Sequence, residues 1–140
     1  MKTIDTRDLV SRLEELIDMH NRIVELEDEI REWDLEDTED NLLELDKLEQ
    51  ELDDLNYEYD REEHMEIENI ESEVSEFHYG VTLILEDDFA DYVKELLEDT
   101  GDITRDFPWY IDIDWETTAS NIESDYTSIE YDGETYLFRN

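Results

Sequence analysis

Carboxylate side chains dominate this 140-residue sequence, which holds 47 Asp and Glu, 10 Lys and Arg, and 3 His. Two nearby carboxylates can serve as general acid and general base, and Asp112 and Asp114 have a spacing that would allow it. Among 47 acids, however, such pairs arise by chance. His20, His64 and His78 have no neighbouring nucleophile and no metal-ligand spacing, so we expect them on helix surfaces or in helix seams. The sequence therefore predicts a protein that is not an enzyme.

The sequence contains no motif that is typical of a metal site or a cofactor site. No Asp-x-Asp-x-Asp-Gly loop with a Glu six residues on is present, as a calcium-binding loop would require. Cysteine is absent, which excludes disulfides and zinc–thiolate sites, and three glycines form no phosphate-binding loop. We therefore predict no metal and no cofactor. Trp109, Tyr110 and Trp115 are expected in a core, not stacked against a ligand. The first two belong to an aromatic connection at 107–110, and Trp115 belongs to a short helix after it.

The net charge is −37, whereas a small soluble domain is comfortable at a magnitude of roughly 2–8. Like charges repel one another and destabilise a folded chain. An excess of this size therefore persists only where the electrostatic field serves a function or where salt in the medium screens it. The charge equals the phosphates of roughly 60 Å of B-form DNA, which predicts a protein whose carboxylates imitate phosphates. DNA, RNA and anionic membranes would be repelled as direct partners. With no apolar signal core and no run of ~20 apolar residues, we expect a cytoplasmic protein.

Heptad spacing in region 1–80 predicts long amphipathic helices. Leu9, Leu16, Ile23 and Ile30 recur every seven residues, after a start that Asp5 or Thr6 is placed to cap. The acid-rich stretch 34–40 loses this period and indicates a turn. A second 3-4 repeat then follows at Leu45, Leu48, Leu52, Leu55 and Tyr59. We therefore predict an antiparallel helical hairpin with coiled-coil packing, within one chain or in a homodimer.

Beyond this hairpin the heptad spacing ends and patterns typical of both strands and helices appear. The spacing leaves open whether 61–79 continue the second helix or form a third. Region 81–140 then reads as a strand, a helix that Asp87 or Asp88 caps, and a short helix that begins at Asp112 or Asp114. It ends with two β-prone runs around Asp132-Gly133, a strong hairpin signal. The predicted class is therefore α+β, with the helical hairpin followed by a small α+β module that ends in a β-hairpin.

Three segments of this module resemble the C-terminal domain of ArdA-type antirestriction proteins. They are the helix of residues 89–99 followed by Gly101, the Ile-Asp-Trp-Glu-Thr-Thr-Ala segment at 113–119, and the Asp-Gly-Glu-Thr-Tyr-Leu-Phe-Arg end at 132–139. The family consists of acidic DNA mimics, encoded by phages, plasmids and transposons, that occupy the DNA-binding groove of type I restriction–modification enzymes. The resemblance implies the same activity and the same kind of partner here, over residues 81–140.

We therefore expect an inhibitor that occupies the DNA groove of a defence enzyme. The first expected target is a type I restriction–modification enzyme. Two alternatives stay open: inhibition of a CRISPR nuclease by the same mimicry, and an acidic coiled-coil adaptor that binds a basic protein surface. A halophilic surface is a further interpretation, because high salt screens repulsion. Helical phase selects the outward acids as the expected contacts with the partner. These are Glu25, Asp28, Glu32, Glu36, Asp37, Asp40, Glu44, Glu51, Asp54, Glu58, Asp87, Asp91, Glu95, Glu98 and Asp102.

Overall fold

The computed structural model describes residues 1–104 and 108–140. These residues form five α-helices and one four-stranded antiparallel sheet, so the predicted mixture of helix and strand is confirmed. In chain order the elements are β1 (Thr3–Asp5), α1 (Thr6–Arg31), α2 (Glu39–Glu58), α3 (Arg61–Glu73), β2 (Thr82–Leu85), α4 (Phe89–Asp99), α5 (Trp115–Glu123), β3 (Thr127–Tyr131) and β4 (Glu134–Phe138). None of the helices in the described residues has the length and apolar character that crossing a bilayer requires.

Two compact units divide the chain. One, which we call the sheet unit, comprises Met1–Val10 and Glu66–Asn140, and the other, the helical unit, comprises Ser11–Met65. These units differ from the regions 1–80 and 81–140 of the sequence analysis. Strand β1 is one reason, because its three residues are too few to show an alternating pattern, yet they pair with β2 and bring the start of the chain into the sheet unit. The other reason is that residues 66–80 also belong to the sheet unit.

The sheet has the strand order β1-β2-β4-β3. Neighbouring strands pair with Ile4 opposite Leu83, Ile84 opposite Leu137, and Ile129 opposite Tyr136. Strands β3 and β4 meet at Asp132 and Gly133, whose φ angles of 51° and 76° are those of a type I′ turn. Glycine is free to adopt this left-handed conformation, and aspartate tolerates it better than most residues.

Apolar side chains cover both faces of this sheet. On one face Ile84 and Leu137 pack with Phe89 and Val93 of α4 and with Ala119 of α5. Because side chains alternate along a strand, the buried residues Leu83, Tyr136 and Phe138 belong to the opposite face. The sheet is therefore the centre of a core, which leaves the acids of its helices for the surface.

Thr6 ties the start of α1 to the segment before β2. Its side chain is fully buried; the hydroxyl donates to the backbone oxygen of Phe77 at 2.8 Å and accepts from the backbone N–H of Val81 at 2.8 Å. The sequence offered Asp5 or Thr6 as the helix cap. The structure gives that contact to Asp5, whose Oδ1 accepts from the backbone N–H of Arg7 at 2.9 Å.

Segment 61–79, which the sequence left undecided, contains a separate helix. Helix α2 ends at Glu58 and α3 begins at Arg61 and ends at Glu73, so a third helix occupies the first part of the segment. In the C-terminal module, Asp114 caps α5 as expected, since its Oδ1 accepts from the N–H of Thr117 at 3.1 Å. Asp88 precedes α4 without a side-chain cap, because its carboxylate instead accepts from the backbone N–H of Lys2 at 2.7 Å.

The expectation that the aromatic residues around 109 lie in a core is wrong for two of them. Trp109 is 91% exposed and Tyr110 is 70% exposed, whereas Trp115 is half-buried. The apolar pattern of this connection suggested a core, but neither residue lies on a helix or strand whose face could be covered. Phe107, which belongs to the same predicted connection, lies outside the described residues.

Candidate functional site

Residues 32–58, which we call the acidic stretch, concentrate the negative charge of the helical unit. They comprise the connection after α1 and all of α2, and hold thirteen acids against a single base, Lys47. Helix α2 begins where the side chain of Thr38 accepts from the N–H of Asn41 at 3.2 Å. Glu39 and Asp40 occupy its first turn, where carboxylates are favoured by the helix dipole.

The density of charge along α2 is close to that of one DNA strand. Nine acids and Lys47 give its 20 residues a net charge of −8. At 1.5 Å per residue the helix is about 30 Å long, which corresponds to one net charge per about 3.8 Å. One strand of B-form DNA carries one charge per about 3.4 Å. The net charge per unit length along α2 is therefore comparable to that of the phosphates of one DNA strand.

Most of the acids that the sequence selected lie at the surface. Twelve of the fifteen are exposed and three are half-buried. The exposed ones are Glu25, Glu32, Glu36, Asp37, Asp40, Glu44, Asp54, Glu58, Asp87, Asp91, Glu95 and Asp102; the half-buried ones are Asp28, Glu51 and Glu98. The outward side of the helices is thus predictable from helical phase, because the apolar stripe fixes the opposite side.

Three of these acids are paired with arginines of α1. The guanidinium of Arg22 binds Glu51 through two hydrogen bonds, Nε–Oε1 at 2.9 Å and Nη2–Oε2 at 3.0 Å, and reaches Glu25 through Nη1 at 3.2 Å. Arg31 pairs with Asp28 one helical turn away. The hydrogen bonds from Arg22 lower the pKa of the Glu51 carboxyl. These three carboxylates therefore have part of their charge neutralised within the chain.

Thirteen of the fifteen selected acids fall into two groups that belong to different units, whereas Glu25 and Asp28 lie on α1. Eight lie in the acidic stretch, from Glu32 to Glu58. Five lie in the sheet unit, on the short 3-10 turn Glu86–Asp88, on α4 and in the residues after it. Asp102 there accepts from the hydroxyl of Thr100 at 3.0 Å. The acidic stretch is the denser group, and we treat it as the candidate site.

Arginine pairing is the feature that the sequence analysis missed. Besides Arg22 with Glu51, Arg12 binds Glu63 through Nε–Oε1 at 2.7 Å and Nη2–Oε2 at 3.0 Å. These two arginines thus join α1 to two different helices, Arg22 to α2 and Arg12 to α3. The available signal was the spacing of the few cations of α1 along its length, at positions 7, 12, 22 and 31.

Two of the three histidines follow the expectation that they lie in helix seams or on helix surfaces, whereas His78 lies in the turn after α3. His64 is buried on α3, and its Nδ1 lies 2.6 Å from the hydroxyl oxygen of Tyr59. His20 on α1 is exposed and has its ring 6.0 Å from that of His64. His78 is exposed and lies 3.0 Å from Glu71. Within residues 1–104 and 108–140 no group of three potential ligands is arranged to hold a metal ion.

Comparisons with known proteins add no relative to this picture. No protein-family model, no curated protein and no solved structure matches the chain.

Proposed function

We propose that the protein is an acidic DNA mimic that inhibits a DNA-binding defence enzyme by occupying its DNA groove. A type I restriction–modification enzyme is the first candidate, on the resemblance of residues 81–140 to ArdA-type proteins. A CRISPR nuclease is the alternative target of the same mechanism. The protein itself is not an enzyme in this proposal, and it acts in the cytoplasm of the host cell.

The observation that carries the proposal is the acidic stretch. It contains thirteen acids and one lysine, and α2 has no buried side chain, so its carboxylates are available to a partner except for Glu51, which pairs with Arg22. The net charge density of α2 is within about a tenth of the phosphate density of a single DNA strand. Solubility alone requires far less charge than the −37 of the whole chain.

The cations of the chain favour the same proposal, because five of the ten Lys and Arg are paired with carboxylates. Arg7, Arg12, Arg22 and Arg31 of α1 each pair with a carboxylate, and Lys2 pairs with Glu134 at 2.5 Å. We infer that the two long segments α1 and α2 pack as an antiparallel coiled-coil hairpin, in which these arginines offset repulsion between acidic helices. A binding partner therefore meets a surface whose electrostatic potential is predominantly negative.

Binding in this mechanism comes from many weak contacts. Lys and Arg of the DNA groove pair with exposed carboxylates, and the groove releases the anions that it had attracted. Electrostatic steering raises the association rate at low salt. No single acid dominates, since exposed ion pairs contribute little individually.

An acidic adaptor is a second candidate, and one observation favours it. Leu42 and Leu43 on α2 are 48% and 55% exposed, and apolar surface of this kind fits a protein partner but has no counterpart among phosphates. An adaptor would bind a basic protein while leaving that protein free to hold DNA.

Competition with DNA separates the two. A fluorescent duplex is titrated with a type I restriction–modification enzyme, and separately with a CRISPR nuclease, at several concentrations of this protein. For a mimic, the apparent Kd for DNA rises in proportion to the protein concentration. Polyglutamate at the same carboxylate concentration is the control for charge alone. A stable ternary complex of this protein, enzyme and DNA would refute the mimic and support the adaptor.

A further inference from the structure

A surface cavity of about 420 Å³ lies at the start of the acidic stretch, entirely within the helical unit. Its apolar lining consists of Trp33 and Leu35, from the connection after α1, and Leu48 of α2. Trp33 and Leu48 are half-buried, and Leu35 is 57% exposed. We call this feature the Trp33 cavity. An aromatic ring and two leucines at its base make it unlike the rest of the charged surface.

Four carboxylates border the same cavity, namely Glu29, Glu32, Asp34 and Glu44. All four are exposed, and none takes part in an ion pair among residues 1–104 and 108–140. This contrasts with Glu25 and Asp28 nearby on α1, which pair with arginines. Glu29 interacts with Arg22 at longer range and helps to raise the pKa of that guanidinium, so the border of the Trp33 cavity is a place where carboxylates outnumber the cations near them.

The face of Trp33 is also without a cation in the described part of the chain. Elsewhere in the described residues the chain places a cation over a tryptophan, since Lys94 Nζ lies 6.0 Å from the ring centroid of Trp115. A guanidinium suits the Trp33 cavity better than an ammonium does, because it is planar, stacks on an indole face, and donates five hydrogen bonds to surrounding carboxylates.

We propose that the Trp33 cavity receives an arginine side chain, together with a neighbouring apolar side chain, from a basic protein partner. The guanidinium stacks on Trp33 between the four carboxylates, and the apolar side chain covers Leu35. The inference rests on the proposed function in one respect, namely that the partner is the DNA-binding protein. It goes further in that DNA offers no such contact: the cavity adds a protein-specific anchor to an otherwise phosphate-like surface.

A second copy of this chain is a poor occupant for the cavity. Each copy carries a net charge of −37, so two acidic borders would repel one another. Charge complementarity favours a cationic occupant, and the apolar base favours one with an apolar neighbour beside the cation.

The test uses the full chain and a 16-residue helical peptide that carries three arginines and two leucines on one face. The control peptide replaces each arginine by citrulline, which keeps the shape and removes the charge. The readout is the set of indole N–H signals in two-dimensional NMR, with the Trp33 signal assigned from its loss in Trp33→Leu. We expect the arginine peptide to shift the Trp33 signal and to leave those of Trp109 and Trp115 in place, while the citrulline peptide shifts none.

Variants then measure the contribution of each part of the cavity. Trp33→Leu keeps an apolar base and removes the aromatic face, and we expect peptide affinity to fall by about 3- to 30-fold. The double variant Glu29→Gln/Glu44→Gln is expected to weaken binding and to reduce its salt dependence. Its matched control is Glu14→Gln/Glu27→Gln, which removes two exposed acids outside the cavity. Leu43→Ala is the matched control for the loss of apolar surface, and circular dichroism verifies the fold of each variant.

Three results would overturn the inference. The first is equal shifts from both peptides, and the second is equal affinity losses from the two glutamate pairs. The third is a Trp33 signal that moves with protein concentration in the absence of peptide, which would indicate a second copy as occupant. The proposed function fails separately: a Trp33 cavity that binds arginine in a protein that does not compete with DNA refutes mimicry alone. Competition that is unchanged in Trp33→Leu, with no Trp33 shift, refutes the cavity alone.

Discussion

Arg22 of α1 and Glu51 of α2 form a bidentate ion pair, with distances of 2.9 Å and 3.0 Å between their paired nitrogen and oxygen atoms. The pair joins two helices that both carry an excess of acids. Because these helices repel each other, the place where the ion pair lies is more important for the fold than the strength of the pair itself. Arg12 and Glu63 repeat the arrangement with distances of 2.7 Å and 3.0 Å. A few arginines on one side of α1 thus offset the repulsion that the acids of α2 and α3 create.

Double-mutant cycles on these two pairs should give unequal coupling. Arg12 and Glu63 have side chains that are 34% and 24% exposed, against 38% and 44% for Arg22 and Glu51. Because solvent screens the more exposed pair, we expect the coupling between Arg12→Gln and Glu63→Gln to exceed that between Arg22→Gln and Glu51→Gln. Urea unfolding at low salt measures both. Coupling that is equal, or larger for Arg22 and Glu51, would contradict this explanation.

Removing the hydroxyl of Thr6 should destabilise the protein. Thr6→Val keeps the size of the side chain but leaves the oxygen of Phe77 without its donor and the N–H of Val81 without its acceptor. An unsatisfied buried polar group costs about 1–3 kcal/mol, and we expect a loss in the free energy of unfolding of that order. Thr127→Val, at an exposed position of β3, is the control and should have almost no effect. A Thr6→Val variant as stable as its control would show that the hydroxyl is dispensable.

At acidic pH the free energy of unfolding should lose the contribution of the Asp5 carboxylate. Hydrogen bonds from Arg7, first from its side chain and then from its backbone, lower the pKa of Asp5 to about 2. In the unfolded chain this carboxyl titrates near 3.9, so between about pH 4 and pH 2 the unfolded state binds more protons. The contribution is therefore complete above about pH 5 and is lost as the pH falls towards 2. We expect the difference in unfolding free energy between wild type and Asp5→Asn to shrink over that range, as urea unfolding at successive pH values can measure. A difference that stays constant down to pH 2 would contradict the assignment.

The elements that the sequence predicts best are those with a long or specific local signal. Helix α1 shows its heptads over 26 residues, and the Asp132-Gly133 dipeptide requires a turn that few other residues allow. Strand β1 is invisible for the opposite reason, because its three residues owe their conformation to pairing with β2, which is remote in sequence. The burial of Thr6 has the same origin, since its partners lie more than 70 residues away.

In the candidate site, too, some features follow from a local sequence pattern and others depend on contacts between separate elements. Exposure of Asp40 and Glu44 on α2 follows from helical phase, which a sequence displays. The neutralisation of Glu51 by Arg22 depends on the alignment of two helices, which no local pattern specifies. The Trp33 cavity depends on where the connection after α1 places Trp33 relative to Leu48, for which the 3-4 repeat that contains Leu48 gives no signal.

Salt should stabilise the fold. Repulsion among 47 acids opposes compaction, and the Debye length shortens from about 30 Å to under 10 Å between about 10 and 200 mM salt. We therefore expect the Tm to rise over this range, as measured by circular dichroism. A variant with six acids of the acidic stretch neutralised is the control and should show a smaller rise. Failure to fold without molar salt would instead support a halophilic surface, and a flat response would show that the charges lie too far apart to repel.

Graded neutralisation of acids distinguishes a DNA mimic from a merely acidic surface. Single changes such as Glu44→Gln or Asp54→Asn should each weaken inhibition by on the order of 0–1 kcal/mol, because exposed ion pairs are individually weak. Neutralising six acids of the acidic stretch together should weaken it strongly; the set is Glu36, Asp37, Asp40, Glu44, Asp54 and Glu58.

The matched control for this set neutralises six exposed acids elsewhere, namely Asp8, Glu14, Asp18, Glu27, Glu62 and Glu76. Both variants have the same net charge, so any difference in inhibition must come from the arrangement of the carboxylates. A DNA groove recognises an arrangement, since its cations are fixed in space, and we therefore expect the control to remain a good inhibitor. Both variants should fold, because the buried Tyr136 and Phe138 are unchanged, and circular dichroism verifies this. Equal loss of inhibition in the two variants would mean that total charge alone drives binding, and nonspecific electrostatic adhesion would then replace mimicry as the explanation.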